Sequence, residues 1–193
     1  MPFTPRSERT RTAILDAARR RFANDGYERA TIRAIAADAA IDPSMVMRYY
    51  GSKEGLFAAA ADVDLLLPDI SGAAREKTGE ILVRHFIERW EGGLSDEVLL
   101  VLFRAAITNE SATQRLRDVF GEQVARTMAA VIPDPAEVQI RAGLIATQIL
   151  GVALCRYILR LPPVADLDIG TLVANISPTV QRYLTGPIER DHD

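Results

Sequence analysis

Residues 31–57, TIRAIAADAAIDPSMVMRYYGSKEGLF, decide the fold. They read as two short helices joined by a tight turn, followed by a third helix. Thr31 is suited to the N-cap of the first helix. Ile32, Ile35 and Ala36 give that helix an apolar face and leave Arg33 and Asp38 outside. Asp42 caps the second helix, and Pro43 takes its first position, where a missing N–H costs nothing. Val46 and Tyr50, four apart on PSMVMRYY, can face inward, which turns Ser44, Met45, Met47, Arg48 and Tyr49 outward. Ser52 opens the third helix, with Glu54 in its first turn. Helix, short turn and short second helix make a helix-turn-helix, whose second helix enters the DNA major groove.

The outward set fits that role better than it fits a solvated face. Two methionines and a tyrosine beside an arginine are poorly placed in water, but they can cover base edges, thymine methyls and sugar–phosphate. The competing reading is that Met45 or Met47 packs against the first helix of the domain, since methionine is a common gap-filler.

Residues 9–57 resemble the DNA-binding domain of the tetracycline-repressor (TetR) family. The matching run opens with TRTAILDAARRRFANDGYERATI and continues through IRAIAADAAIDPSMVMRYYGSKEGLF. Ala40 departs from the family pattern, which usually has Gly in that turn. An alanine at positive φ costs about 1 kcal/mol, so the turn either carries that strain or bends differently. Tyr50 stands where Phe is commoner, and its hydroxyl needs a partner or water. The resemblance implies that Ser44, Met45, Met47 and Arg48 make base-side contacts. It also implies that Thr31, Arg33, Tyr49 and Lys53 belong to the same interface, with Thr31, Tyr49 and Lys53 on phosphate.

The 193-residue chain is long enough for one domain or two small ones sharing a core. Few aromatics with abundant Ala, Leu and Arg favour an all-α protein. No apolar run reaches 18 residues, so no membrane span is expected, and MPFTPRSERTRT lacks the apolar core of a secretory signal. A single cysteine, Cys155, excludes an internal disulfide and fits a reducing cytoplasm. The net charge of −3 argues against nucleic acid until its distribution is seen. Residues 1–60 hold ten Lys/Arg against seven Asp/Glu, whereas the remainder holds thirteen against nineteen. A basic N-terminal part on an acidic body suits a phosphate-facing head, although +3 over 60 residues is by itself within chance scatter.

Residues 1–7 read as disordered. Arg6, Arg9 and Arg11 could reach the DNA backbone or minor groove, with a solvated tail as the other reading for Arg6. A first helix is expected over about 8–24, with Ile14, Leu15, Ala18 and Phe22 inward and Gly26 as its stop. A fourth helix runs from Lys53 toward Leu67, where Pro68 ends it. The boundary is placed after residue 52, leaving 1–52 as the DNA-binding domain and 53–193 as the effector-binding and dimerisation domain. Five further helices are expected, about nine in all. They run over roughly 72–90 (closed by Gly92 and Gly93), 95–108 (capped by Ser95), 111–131, 135–161 and 169–184. The helix containing LIATQILGVALCRYIL is apolar nearly all round and must be buried on more than one side. Ala142, Gly143, Ala146, Gly151 and Ala153 would let a partner approach closely, which points to a symmetric homodimer through the last two long helices. A central helix inside a monomer is the alternative.

Signatures of catalysis are missing from the sequence: no GxxxxGK[ST], GxGxxG, HExxH, GxSxG or CxxC occurs. His85 and His192 are the two histidines, and His192 lies in the tail. No enzyme activity, cofactor or metal site is expected. The family resemblance implies a C-terminal effector pocket, mostly apolar with a few orienting polar groups. Its candidates here are His85, Arg89, Trp90, Phe103, Arg104, Thr108, Asn109, Gln148 and Tyr157. For Trp90 and Phe103 the competing reading is core packing; for His85 it is a hydrogen-bonded interior histidine. The body is also similar to a C-terminal domain type of actinobacterial TetR-like regulators, which names no effector.

The sequence thus reads as a cytoplasmic, homodimeric, ligand-responsive transcriptional regulator. It is expected to repress by binding a palindromic operator in double-stranded DNA and to be released by a small-molecule effector. A helical ligand- or protein-binding dimer without DNA function is the alternative, against which the intact Thr31, Tyr49 and Lys53 argue.

Overall fold

The structure, a computed structural model, describes residues 5–91 and 97–189. Gly92, Gly93, Ser95 and His192 lie outside the described residues, as does the side chain of Arg6. Among the described residues all regular structure is helical, as the composition suggests. The helices are α1 (Pro5–Arg29), α2 (Ile32–Asp38), α3 (Pro43–Tyr50), α4 (Lys53–Ala60), α5 (Thr78–Glu91) and α6 (Glu97–Ala106). Helix α7 covers Glu110–Val119 and continues through a π-helical turn, Phe120–Val124, into Ala125–Ala129. Helix α8 covers Pro135–Val152 and ends in a second π-helical turn, Ala153–Ile158. Helix α9 covers Ile169–Thr185.

Two compact units divide the chain: Met1–Asp64 with Asp96–Arg117, and Leu65–Ser95 with Asp118–Asp193. Packing therefore groups 53–64 and 96–117 with the helix-turn-helix, beyond the boundary read after residue 52. In the N-terminal unit, Ile14, Phe22, Tyr27, Ile35, Val46, Leu56 and Phe57 form the core together with Leu102 and Ala105. Its centre is a ring cluster. Phe57 meets Phe22 and Tyr27 edge-on, with centroids 5.1 and 5.0 Å away. Edge-to-face contacts of this kind add about 1 kcal/mol to what area burial supplies. Gly26 sits inside the α1 span at φ +77°, so the regular helix breaks there, and the Ala30 N–H returns to the Gly26 carbonyl.

The C-terminal unit buries Ile70, Leu82, Ile87, Met128, Ile145, Leu172, Val173 and Val180. Helices α5 and α9 approach so closely at Gly79 that a Cβ there would lie 2.8 Å from the Gln181 backbone nitrogen. By length and composition α8 could cross a membrane. It nevertheless supplies Val138, Ala142, Ile145 and Val152 to the core, and it carries Arg141, only 7% exposed. That guanidinium pairs with Glu137 at 2.7 Å and donates to the carbonyls of Tyr183 and Gly186, so it holds the end of α9.

Three expected boundaries are corrected. Helix α1 begins at Pro5 rather than Glu8, so residues 5–7 belong to it. Helix α5 begins at Thr78, not Gly72, after a 3₁₀ turn at Arg75–Lys77. Helix α4 stops at Ala60 instead of running to Leu67. Past Ala60 the chain is held by other groups. Asp62 pairs with Arg115, Val63 and Ile70 are buried, and Leu66 takes φ +47°.

Candidate nucleic-acid interface and effector region

Side chains close in sequence build the helix-turn-helix. Thr31 Oγ1 accepts from the Ala34 N–H at 3.1 Å, Asp42 from the Ser44 N–H at 2.8 Å, and Ser52 from the Gly55 N–H at 3.0 Å. Each cap satisfies one of the donors that a helix N-terminus leaves open. Hydrogen bonds from the Ser44 hydroxyl and then its N–H hold the Asp42 carboxyl below its usual range. The turn between α2 and α3 carries the strain that the sequence foreshadowed. Ala40 sits at φ +53°, and the Ile41 N–H reaches back to the Ala36 carbonyl at 2.9 Å. Gly55 is required by proximity, since a Cβ there would lie inside the Tyr50 carbonyl oxygen's contact radius.

On α3, Ser44, Met47 and Arg48 are exposed, with Met47 at 43%, and Val46 is fully buried. Met45 and Tyr49 are half-buried, and Tyr49 packs partly against the N-terminal core. Tyr50 turns inward and its hydroxyl donates to the Arg11 carbonyl at 3.3 Å. That is the partner its extra oxygen needed, and it ties α3 to α1. Thr31 and Arg33 are exposed on the α2 side. The Arg48 guanidinium lies 6.0 Å from the Tyr49 ring centroid. Lys53 is engaged within the chain: its Nζ donates to the Glu28 carbonyl at 3.1 Å and lies 4.4 Å from the Tyr27 ring centroid. A phosphate contact by Lys53 would have to compete with both.

Arg21 braces the motif from behind. It bonds Asp38 through two nitrogens, one at 2.8 Å, and reaches Asp25 at 3.2 Å, joining α1 to α2. The Arg21 bonds hold the Asp38 carboxyl below its ordinary value. Burial, and then donation to Glu54, push the Tyr27 hydroxyl up to about 12.

The expected effector residues do not form one group. Phe103, Arg104, Thr108 and Asn109 belong to the N-terminal unit; His85, Arg89, Trp90, Gln148 and Tyr157 belong to the C-terminal unit. Asn109 Oδ1 accepts the Ala112 N–H at 2.9 Å and so caps α7. Trp90 and Tyr157 stack at 4.7 Å and 8°, and Phe86 stands 5.9 and 6.5 Å from them. The Tyr157 hydroxyl donates to Glu91 at 3.0 Å, and Arg156 pairs with the same oxygen at 2.7 Å. Burial, and then the Glu91 bond, raise the Tyr157 hydroxyl well above its ordinary value. Phe86 was missed as a member of this cluster, although its i, i+4 spacing to Trp90 was readable. His85 lines a cavity of about 360 Å³ with Pro68, Ile81, Arg84 and Glu88. Its ring Nε2 lies 3.1 Å from the Leu65 carbonyl. Among the described residues, no cluster of three or more His, Cys, Asp or Glu could hold a metal ion.

Known proteins match both parts of the chain. Residues 14–60 match the family described as bacterial regulatory proteins, tetR family, and residues 76–184 match the tetracyclin repressor-like C-terminal domain. A TetR-family regulator from Streptomyces coelicolor A3 superposes with a TM-score of 0.70 at 31% identity, covering 96% of this chain and 99% of its own. A TetR-like transcriptional regulator from Rhodococcus sp. RHA1 reaches 0.64 at 23% identity, covering 97% and 100%. SmeT, solved as a triclosan complex, reaches 0.64 at 21% identity, covering 87% and 89%. The last two likenesses show the fold alone. No curated protein matches by sequence. The chain belongs to the TetR family of transcriptional regulators. It is a DNA-binding transcription factor and not an enzyme.

Proposed function

We propose that this regulator is a cytoplasmic homodimer that represses transcription from a palindromic operator and releases it when a small molecule binds the C-terminal unit. The observation that carries the DNA reading is the exposed face of α3. Ser44, Met47 and Arg48 project from a helix whose opposite side, at Val46, is sealed into the core. Arg48 is the residue of choice for a guanine edge, and Met45 and Met47 for thymine methyls and sugar. Thr31, Arg33 and Tyr49 serve the backbone, joined by Lys53 once it leaves the Glu28 carbonyl.

The dimer reading is supported by the outer side of α8. Ile140 and Leu154 are 41% and 39% exposed there. A Cβ at Gly143 or Gly151 would meet nothing within 4 Å, so the chain's own packing does not require those glycines. Close approach by a second copy would require them. The Phe86, Trp90 and Tyr157 rings suit an aromatic or apolar effector, and Arg89 and Gln148 are the polar residues proposed to meet its polar end. That SmeT was solved with triclosan is in keeping with such a ligand.

Two measurements test the reading. Sedimentation velocity should give twice the mass of the 21.2 kDa chain, whereas a monomer at micromolar concentration would refute the dimer. DNA enriched from a random pool should be a palindrome with half-sites about 34 Å apart or a multiple of that. On that DNA Arg48→Ala should cost about 1–3 kcal/mol and far less on random DNA. Equal losses on both would remove Arg48 from base readout.

A further inference from the structure

Helices α5 and α9 both belong to the C-terminal unit, and a cavity of about 470 Å³ lies between them. One wall is Ala174, Ser177, Pro178 and Gln181, spaced three and four apart and so on one face of α9. The other is Glu80 and Arg84 of α5, with Glu76 of the 3₁₀ turn before it. None of Phe86, Trp90 and Tyr157 borders this cavity, and it meets the His85 cavity only at Glu80 and Arg84.

The α9 wall carries two polar groups without their usual partners. Ser177 is 8% exposed, and its Oγ has no hydrogen-bond partner. A buried hydroxyl in that state destabilises the fold, and alanine would pack in its place without that cost. Next to it, Pro178 stands in the interior of α9. Proline has no N–H, so the Ala174 carbonyl, four residues back, loses the donor that a helix would give it. Both oxygens belong to one turn of helix, and that turn borders the cavity. Gln181 and Arg84 are already engaged. Gln181 accepts the Gly79 N–H at 2.8 Å and donates to the Arg75 carbonyl at 2.9 Å, and Arg84 donates to Glu80 at 2.9 Å. A carboxylate offers about four acceptor sites, so Glu80 keeps capacity beside that bond.

We infer that this cavity is a second small-molecule site, separate from the aromatic effector cluster, and that it takes a small organic amine in its ammonium form. The lining selects a donor. A carbonyl and a carboxylate only accept, and a serine hydroxyl can accept. Two carboxylates, Glu76 and Glu80, stand against the one guanidinium of Arg84 in the lining, so the local charge favours a cation. A primary ammonium has three N–H donors, enough for the Ala174 carbonyl, Ser177 Oγ and one carboxylate together. Rotation about the Ser177 Cα–Cβ bond, between staggered positions, presents Oγ to an occupant of the space that the residue borders. The alkyl part of the amine lies against Val173 and Pro178. Neither the DNA reading nor the dimer reading enters this inference, since every residue of the site belongs to one unit of one chain.

The test titrates the full chain with butylammonium chloride and, for charge without N–H donors, with tetramethylammonium chloride. Binding is followed by backbone amide shifts and by the melting temperature. Butylammonium should saturate, shift the amides of Glu80 and of α9 around Ser177, and raise the melting temperature, as any ligand of the folded state does. Tetramethylammonium should bind about tenfold more weakly. Ser177→Ala and Glu80→Gln should each weaken butylammonium about tenfold. Pro178→Ala returns a helix donor to the Ala174 carbonyl. It should raise the melting temperature of the free protein and still weaken butylammonium about tenfold. A residue with a merely structural role would not move stability and affinity in opposite directions. Equal affinity for the two cations would reduce the site to a patch of charge and overturn the inference. Unchanged butylammonium binding in both Ser177→Ala and Pro178→Ala would overturn it too. So would the lack of any saturable shift in wild type, the result expected if a second copy of the chain already covers the groove.

Discussion

In the N-terminal unit each helix of the DNA-reading motif is closed by a side chain two or three residues away: Thr31 on Ala34, Asp42 on Ser44, Ser52 on Gly55. The C-terminal unit closes α8 and α9 in the same way, with Asp134 on Ala136 and Asp168 on Thr171, and adds long polar side chains that grip the backbone. Arg141 holds the carbonyls of Tyr183 and Gly186, Arg156 holds those of Val164, Ala165 and Leu167, and Gln181 accepts the Gly79 N–H. The first unit joins its locally capped helices by Arg21 to Asp38, Tyr50 to Arg11 and Asp62 to Arg115, over a ring-centred core. The second is tied by long polar side chains and interrupted twice by π-helical turns. A surface that must fit the fixed lattice of DNA gains from the first construction. What the second has and the first lacks, among the described residues, is the π-helical turn, a feature that gathers at functional sites.

The contrast can be broken by substitution, and the largest effects belong in the two cores. Phe57→Ala removes the ring shared by Phe22 and Tyr27 and should cost about 3–5 kcal/mol, read from the urea midpoint. Arg141→Met should cost about 3 kcal/mol, because Glu137 and two carbonyls lose their cation. A loss below 1 kcal/mol for Arg141→Met would mean that the tie contributes little and that apolar packing alone seats α9. Next come the caps. Thr31→Ala and Ser52→Ala should each lower stability by about 1 kcal/mol, and the loss should appear as faster amide exchange confined to α2 or α4. A loss spread evenly over both units would contradict local construction of the head.

Smaller still is Ala40→Gly. It relieves the φ +53° strain and gives back part of the gain through the freer unfolded chain. A net stabilisation of about 0.5–1 kcal/mol is expected, and a destabilisation would show that Ala40 packs in a way its exposure does not suggest. The last prediction concerns alkali. Tyr27 holds its proton more tightly folded, at about 12, than unfolded, at 10.0. Its contribution is complete below pH 10 and disappears as pH rises toward 12. Stability followed by urea unfolding should fall over that window, and Tyr27→Phe should lose this share of the fall. An identical pH profile in Tyr27→Phe would locate the alkaline loss elsewhere.

The same contrast explains what the sequence made legible. Caps, the Pro43 start and the inward pair Val46 and Tyr50 are local signals, so α2, α3 and the start of α4 were readable residue by residue. The strain at Ala40 was readable too, because a turn that usually takes Gly holds Ala. The end of α4 was not. No breaker stands between Ala60 and Pro68, and the helix stops because Asp62 meets Arg115 and Leu65 meets Gln123, more than fifty residues away. The π-helical turns carry no pattern that distinguishes them from ordinary helix. In the effector region, aromatic and polar residues could be named, but their division between two units depends on tertiary packing. The separation of His85 from Phe86 and Trp90 did lie within reach, since neighbours on a helix point about 100° apart.

The central claim, that the exposed face of α3 reads a specific operator, is tested most directly by fluorescence anisotropy of the purified protein. Its partners would be DNA from upstream of its own gene and a shuffled sequence of the same length, over a salt series. The account predicts affinity for the upstream DNA at least a thousandfold above the shuffled DNA at physiological salt, falling steeply as salt rises, since specific binders exceed their nonspecific affinity by about 10³ or more. Equal affinity for both DNAs at every salt concentration, repeated with the sequence best enriched from a random pool, would contradict it.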